Sequence, residues 1–151
     1  MMAEYFDGAI RIGGNITREQ WDRMKEIEPE LARSIPSQID GIFEHCSADT
    51  RMGQFEDLET YLQEQGIPYD RHSGAAYDFD AEETSFRPGT PVITAYATNG
   101  GSILCDAYEV LDYIIRHVDI GDIPKPDEGG DSGLALVLLR KYNPLPKFYV
   151  S

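Results

Sequence analysis

The chain predicts an α+β domain, with a largely antiparallel β-meander and about four helices packed on one face of the sheet. Apolar residues recur at helical steps in the first half of the chain and again after residue 106. Between these regions lies a stretch rich in Tyr, Phe, Thr and Val and punctuated by turn glycines. The 151 residues are 41% apolar and include nine Tyr, six Phe and one Trp, enough for one hydrophobic core. No repeat, low-complexity tract or boundary signal divides residues 1–151, which read as a single domain.

Residues 5 to 12, YFDGAIRI, read as a first strand carrying Ile10 and Ile12, and Gly13-Gly14-Asn15 is a turn signal. Thr17 and Gln20 have the spacing of a capping box, so a helix begins there. Its buried stripe is Trp21, Met24, Ile27 and Leu31, and Pro29 should kink or divide it. Ile35, Ile39, Ile42 and Phe43 suggest a short second helix from near Ser37 toward Cys46. Phe55, Leu58 and Leu62 place another helix over 54–65, stopped by Gly66 with Pro68 just beyond.

The period then changes. Residues 69–101 form the meander, with turns at Gly74, Pro88-Gly89 and Asn99-Gly100. Asp106 and Glu109 repeat the capping spacing before a helix whose apolar side is Val110, Leu111, Ile114, Ile115 and Val118. Residues 119–133, rich in Pro, Gly and Asp, predict a mobile loop. The tail LALVLLRKY, the Asn143-Pro144 turn and KFYV read as a closing hairpin. A short helix capped by Asp131 competes with it, because Arg140 and Lys141 suit a helix end.

Composition excludes several function classes. The longest apolar run, Leu134 to Leu139, is far short of the roughly 20 residues that span a bilayer. The segment MMAEYFDG lacks the features of a secretory signal, and Cys46 and Cys105 form no CxxC pair, so a reducing cytoplasm is expected. The net charge is −14, and residues 40–132 hold 20 acids against five basic residues. Such a field repels nucleic acid and anionic membranes and favours basic partners. Simple solubility accounts for it too.

The stretch YDFDAEETSF, residues 77–86, concentrates this charge. Asp78, Asp80 and Glu82 alternate as in a calcium loop. Glu83, however, occupies the position that needs Gly, and Gly89 the position that needs a bidentate Glu. Strand alternation explains the spacing better, with Tyr77, Phe79 and Ala81 turned inward and the acids outward. Acids at helix starts, Glu56, Asp57, Asp106 and Glu109, serve the helix dipole. Those left over are Glu59 and Glu64 on the outer side of helix 54–65, Asp112, Asp70 and the 78–83 row.

Catalytic signatures are lacking. His45-Cys46 would diverge on a helix, Cys105 reads as core, and the three His and two Cys have no zinc spacing. GGNITREQ lacks the spacing of a phosphate-cradling loop. IPYDRHSG combines Tyr69, Asp70, Arg71 and His72, a mixture suited to an interface or a small site.

No motif identifies a family. In length, acidity and lack of a catalytic signature the chain resembles the small inhibitors carried by phages and mobile elements, including nucleic-acid mimics that block restriction or CRISPR machinery. That likeness transfers no residues. It implies a non-enzymatic cytosolic protein that occupies a basic site on a protein partner, one that normally holds nucleic acid. The expected binding residues are Glu59, Glu64, Tyr69, Asp70, Arg71, Tyr77, Asp78, Asp80, Glu82 and Glu83, with no catalytic residue, metal or cofactor. Two alternatives stand beside it: a metal-dependent hydrolase or nuclease using Asp78, Asp80 and Glu82, and a homodimeric protein without an active site.

Overall fold

The computed structural model describes residues 5–33, 41–51, 55–74, 81–98, 100, 102–116 and 132–151. Its centre is a five-stranded antiparallel sheet in the order β3-β1-β4-β5-β6. The strands are β1 (Tyr5–Ile12), β3 (Phe43–Arg51), β4 (Tyr69–Ser73), β5 (Ala81–Phe86) and β6 (Ile93–Ala97). A second, two-stranded sheet pairs β2 (Gly14–Ile16) with β7 (Phe148–Val150) in parallel. Four helices, α1 (Arg18–Ile27), α2 (Glu56–Gln65), α3 (Ala107–Arg116) and α4 (Ser132–Tyr142), complete an α+β fold.

Local chemistry sets the first elements. A Cβ on Gly13 would lie 2.2 Å from the Pro146 carbonyl oxygen, so only glycine lets the chain leading into β7 pass this close. Thr17 accepts from the Gln20 N–H while the Gln20 side chain accepts from the Thr17 N–H, each at 3.0 Å. This is the expected capping box, and it starts α1. Pro29 divides the segment as anticipated: α1 ends at Ile27 and a 3-10 turn covers Pro29–Arg33. Met24 and Leu31 are fully buried, and Trp21 packs edge-on against Phe43 and Phe148.

α2 ends where Gly66 turns left-handed at φ 68°, its N–H donating to Gln63 O and the Ile67 N–H to Leu62 O. Strand alternation then assigns the two faces of the sheet. Ile10, Ile12, Tyr69 and Phe86 join Met24, Leu31, Phe43, Phe55, Leu58 and Leu62 in the main core, under α1 and α2. On the opposite face Ile93 and Ala95 meet Ala135, Leu136 and Leu139 of α4. α4 in turn receives Val110 and Tyr113 of α3 on its Leu134 and Leu138. The helices therefore cover both faces of the sheet and not one as expected, because Ile93 and Ala95 of β6 give the second face its own apolar surface for α4.

Several expectations change. The helix proposed from near Ser37 to Cys46 gives way to β3, because Phe43 to Cys46 pair with β1, Phe43 opposite Ile12 and His45 opposite Ile10. Residues 34–40 lie outside the described residues. The closing hairpin is replaced by the competing helix: Leu134 to Leu139 bury two helical sides at once, which a strand in that place would not do. Cys105 is exposed, as is Leu104 beside it. The loop expected over 119–133 falls outside the described residues up to 131, and Ser132 and Gly133 belong to α4. No described helix is long and apolar enough to cross a membrane.

Candidate functional site

Two regions carry unusual chemistry: the polar layers on either side of β4 and β5, and the outer side of α3. In β4, Tyr69, Arg71 and Ser73 turn toward α2, while Asp70 and His72 turn toward α4. In β5, Phe86 and Thr84 share the first direction, and Glu83 and Ser85 the second.

On the α2 side, Arg71 Nε donates to Glu59 Oε1 at 2.8 Å, its Nη2 to Thr84 Oγ1 at 3.0 Å, and its Nη1 to Ser73 Oγ. The other Glu59 oxygen accepts from the Phe55 N–H at 2.9 Å. This carboxylate satisfies the backbone N–H of the N-cap residue, while the Phe55 side chain makes no capping bond of its own. Gln63 Nε2 donates to the Tyr69 phenolic oxygen at 2.8 Å. Burial first, and then the negative charge of Glu59, push that phenol far above its ordinary range.

On the α4 side the charges are chained. Arg140 donates to Glu83 Oε1 (3.0 Å), Ser85 Oγ (2.7 Å) and the Thr84 carbonyl (3.2 Å). His72 Nδ1 meets Glu83 Oε2 at 2.8 Å. With the carboxylate ionised, His72 is the donor, which sets its tautomer. Arg87 Nη1 donates to Asp70 Oδ1 (2.9 Å), Tyr69 O and Phe86 O, and its Nε to Asn143 O at 2.7 Å, just past the end of α4. Asp70 Oδ1 also accepts from Ser85. These groups border a cleft of about 530 Å³ lined further by Ala9, Arg11, Ile42, Glu44 and Leu145.

The residues expected to bind a partner are distributed unevenly. Glu59, Tyr69, Arg71 and Glu83 are buried, so Glu59 is not on the outer side of its helix and Glu83 is not part of an outward row. In both cases the cause is an arginine that meets the carboxylate inside the fold: Arg71 for Glu59 and Arg140 for Glu83. Asp70 and Glu82 are half-buried and Glu64 is exposed, while Tyr77, Asp78 and Asp80 lie outside the described residues. These residues thus surround one pair of strands in two separate sets, Glu59 with Arg71 on the α2 side and Asp70 and Glu83 with Arg87 and Arg140 on the α4 side.

The second region was missed in the sequence. Viewed down α3, the apolar residues span an arc that runs from Tyr113 and Val110 through Ile114, Ala107 and Leu111 to Tyr108. Among the described residues, α4 meets this arc at its Val110–Tyr113 edge. Tyr108 is 84% exposed, Leu111 56% and Ile114 61%. The opposite side carries Glu109, Asp112 and Arg116, and Asp106 Oδ1 caps the helix by accepting from the Tyr108 and Glu109 N–H groups. Periodicity revealed the apolar residues but not which of them another element covers.

Among the described residues one group has ligand atoms close enough to hold a metal: Glu28, Glu30 and His45. His45 Nε2 lies 3.8 Å from Glu30 Oε2, and burial, opposed by the His45 charge, raises the Glu28 carboxyl above its usual range. His45 and Cys46 are no dyad, since one is buried and the other exposed on opposite sides of β3. No family model, curated protein or solved structure matches the chain.

Proposed function

We propose that this is a binding protein rather than an enzyme, and that α3 is its anchor. The observation that carries this reading is the exposed stripe Tyr108, Leu111 and Ile114, at steps of three along one helix. Soluble monomers seldom leave large apolar side chains grouped in this way, and helices that dock into grooves present anchors at this spacing. Tyr is also among the residues enriched at binding hot spots.

Charge selects the occupant. The chain carries −14, and among the described residues of α3 and its cap Asp106, Glu109 and Asp112 flank the stripe against Arg116. Burying Glu59, Asp70 and Glu83 does not reduce the field, because Arg71, Arg87 and Arg140 are withdrawn with them. A second copy would bring like charge against like charge. A partner with an apolar groove and a basic rim is favoured instead, and a surface that otherwise holds nucleic acid has such a rim. The acidic field speeds encounter, and the α3 side chains supply the contact that resists dissociation.

The test compares the wild-type chain with the double variant Leu111→Glu, Ile114→Glu in affinity capture from a host lysate, with salt titration of whatever is retained. Support requires a specific retained protein with a basic groove, lost from the variant while its circular dichroism is unchanged, and weakened by salt. Retention equal in both chains, or indifferent to salt, overturns the proposal. So does a light-scattering mass that doubles with concentration, which would make the stripe a self-interface.

A further inference from the structure

The α4-side cleft holds donors that the protein itself does not use. Its carboxylates all face donors of the fold. Both oxygens of Glu83 are taken by His72 and Arg140. Asp70 faces Arg87, Ser85 and, at 3.6 Å, Arg140, and Glu44 faces Arg11 and the Cys46 thiol. Arg140 spends all three nitrogens on Ser85, Glu83 and the Thr84 carbonyl. Arg71 also borders the cleft, but its guanidinium is engaged on the α2 side by Glu59.

Three groups retain capacity. Arg87 is 1% exposed, and its Nη2 is buried without a hydrogen-bond partner among the described residues. Arg11 is half-exposed, and among the described residues its guanidinium is held by a 3.6 Å approach to Glu44. His72 offers Nε2 once Nδ1 is bound to Glu83. Arg11 lies opposite Asp70 and His72 opposite Ala9, so Arg11 and His72 are diagonal neighbours on one face of β1 and β4. A buried guanidinium nitrogen without an acceptor is costly, and the cost falls when an acceptor enters.

We infer that this cleft binds a small molecule bearing an oxyanion, a carboxylate or phosphate group, with Arg87 as the buried donor, Arg11 as the rim cation and His72 beside it. The spare capacity of Arg87 and Arg11 consists of cationic N–H groups, which an oxyanion complements and an ammonium group does not; His72 Nε2 adds a donor when the imidazole is protonated and otherwise accepts from a protonated oxygen of the ligand. Arg87 also borders a neighbouring cleft of about 320 Å³, whose other lining residues, such as Asn15, Gln20, Gln65 and Asn143, carry no charge. The remaining cations of this region are on the α4 side, and they decide between the two. The site is separate from the α3 stripe and does not depend on the reading given to it.

The experiment is calorimetric titration of the full chain with inorganic phosphate and, separately, with succinate, at constant ionic strength. Side-chain ¹⁵N spectra of the arginines report which guanidinium responds. Saturable binding of either probe that shifts the Arg87 resonance, and that weakens about tenfold in Arg11→Gln, supports the site. A phosphate-only response assigns the phosphate class, and a succinate-only response the carboxylate class. Arg11 is half-exposed, so its variant should fold, and His72→Gln provides a second such variant. No saturation by tens of millimolar of either probe overturns the inference, because the Arg87 donor is then served by water alone. Equal affinity in wild type, Arg11→Gln and His72→Gln overturns it as well.

Discussion

Neighbouring residues of β4 enter opposite surroundings, and the two faces accommodate buried charge differently. Toward α2, Arg71 and Glu59 form one ion pair beside a core otherwise built of Ile, Leu, Phe and Met. Toward α4, Asp70, Glu83, Arg87 and Arg140 are linked through Ser85 and the ends of helix and strand, with partial access to solvent. A pair with one counter-charge, even one whose arginine also donates to Ser73 and Thr84, leaves a buried charge uncompensated when either member is lost, whereas a network of several charges can share the loss.

The largest expected effect follows from the isolated pair. Glu59→Ala leaves Arg71 buried without its carboxylate and removes the acceptor of the Phe55 N–H, which should cost about 3–5 kcal/mol in urea denaturation. The double variant Glu59→Leu, Arg71→Met should recover part of this, because it removes the uncompensated charge but leaves the Phe55 N–H without its acceptor. A single-variant loss below about 1 kcal/mol would show that the pair is hydrated and end the contrast between the faces. Asp70→Asn, on the network side, should cost less, about 1.5–2 kcal/mol. Arg87 Nη1 keeps the Tyr69 and Phe86 carbonyls, and Arg140 keeps Glu83. A cost equal to that of Glu59→Ala would mean that the network does not share its load.

The same contrast shows what a sequence can reveal. The capping box of α1, the division at Pro29, the Gly66 stop and the meander were legible because each depends on residues close together in the chain. β3 was not, since Ile35, Ile39, Ile42 and Phe43 mimic helical spacing and only pairing with β1 makes Phe43 onward a strand. α4 was ambiguous because Leu134 to Leu139 is apolar throughout, and its helical form is fixed by contacts with α3 on one side and β6 on the other. The burial of Glu59 depends on Arg71, twelve residues away, and that of Glu83 on Arg140, 57 away. Acids counted as surface charge were therefore misplaced wherever a distant arginine met them.

α3 extends the comparison to a surface outside the sheet. Leu111→Glu and Ile114→Glu should change stability by no more than about 0.5 kcal/mol each, because neither side chain is covered. Tyr113→Ala, between them in sequence but on the covered edge, should be clearly worse in the same denaturation series, since Tyr113 packs among Leu134 and Leu138. Equal costs at positions 111 and 113 would mean that the outer side of α3 is covered in solution, and the docking proposal would lose its surface.

The smallest effect concerns reactivity on β3. Glu44 and Cys46 are two residues apart and share the face that carries Arg11 and Ala9, while His45 between them is buried on the other. Desolvation first, then the charge of Glu44 and the hydrogen bond from the Cys46 sulfur to its carboxylate at 3.5 Å, raise the thiol above its ordinary range. The thiolate is the nucleophile, so a raised thiol is a slow one at any given pH below its titration, and its rate should climb at higher pH than that of free cysteine. Iodoacetamide labelling followed by peptide mass analysis should find Cys46 alkylated more slowly than free cysteine at mildly alkaline pH, although its residue is exposed. Glu44→Gln removes the negative charge while keeping the side-chain shape, and should speed the reaction several-fold without altering stability. An unchanged rate in Glu44→Gln would assign the slowness to desolvation alone, and on this face the carboxylate would then be engaged with Arg11 rather than with the thiol.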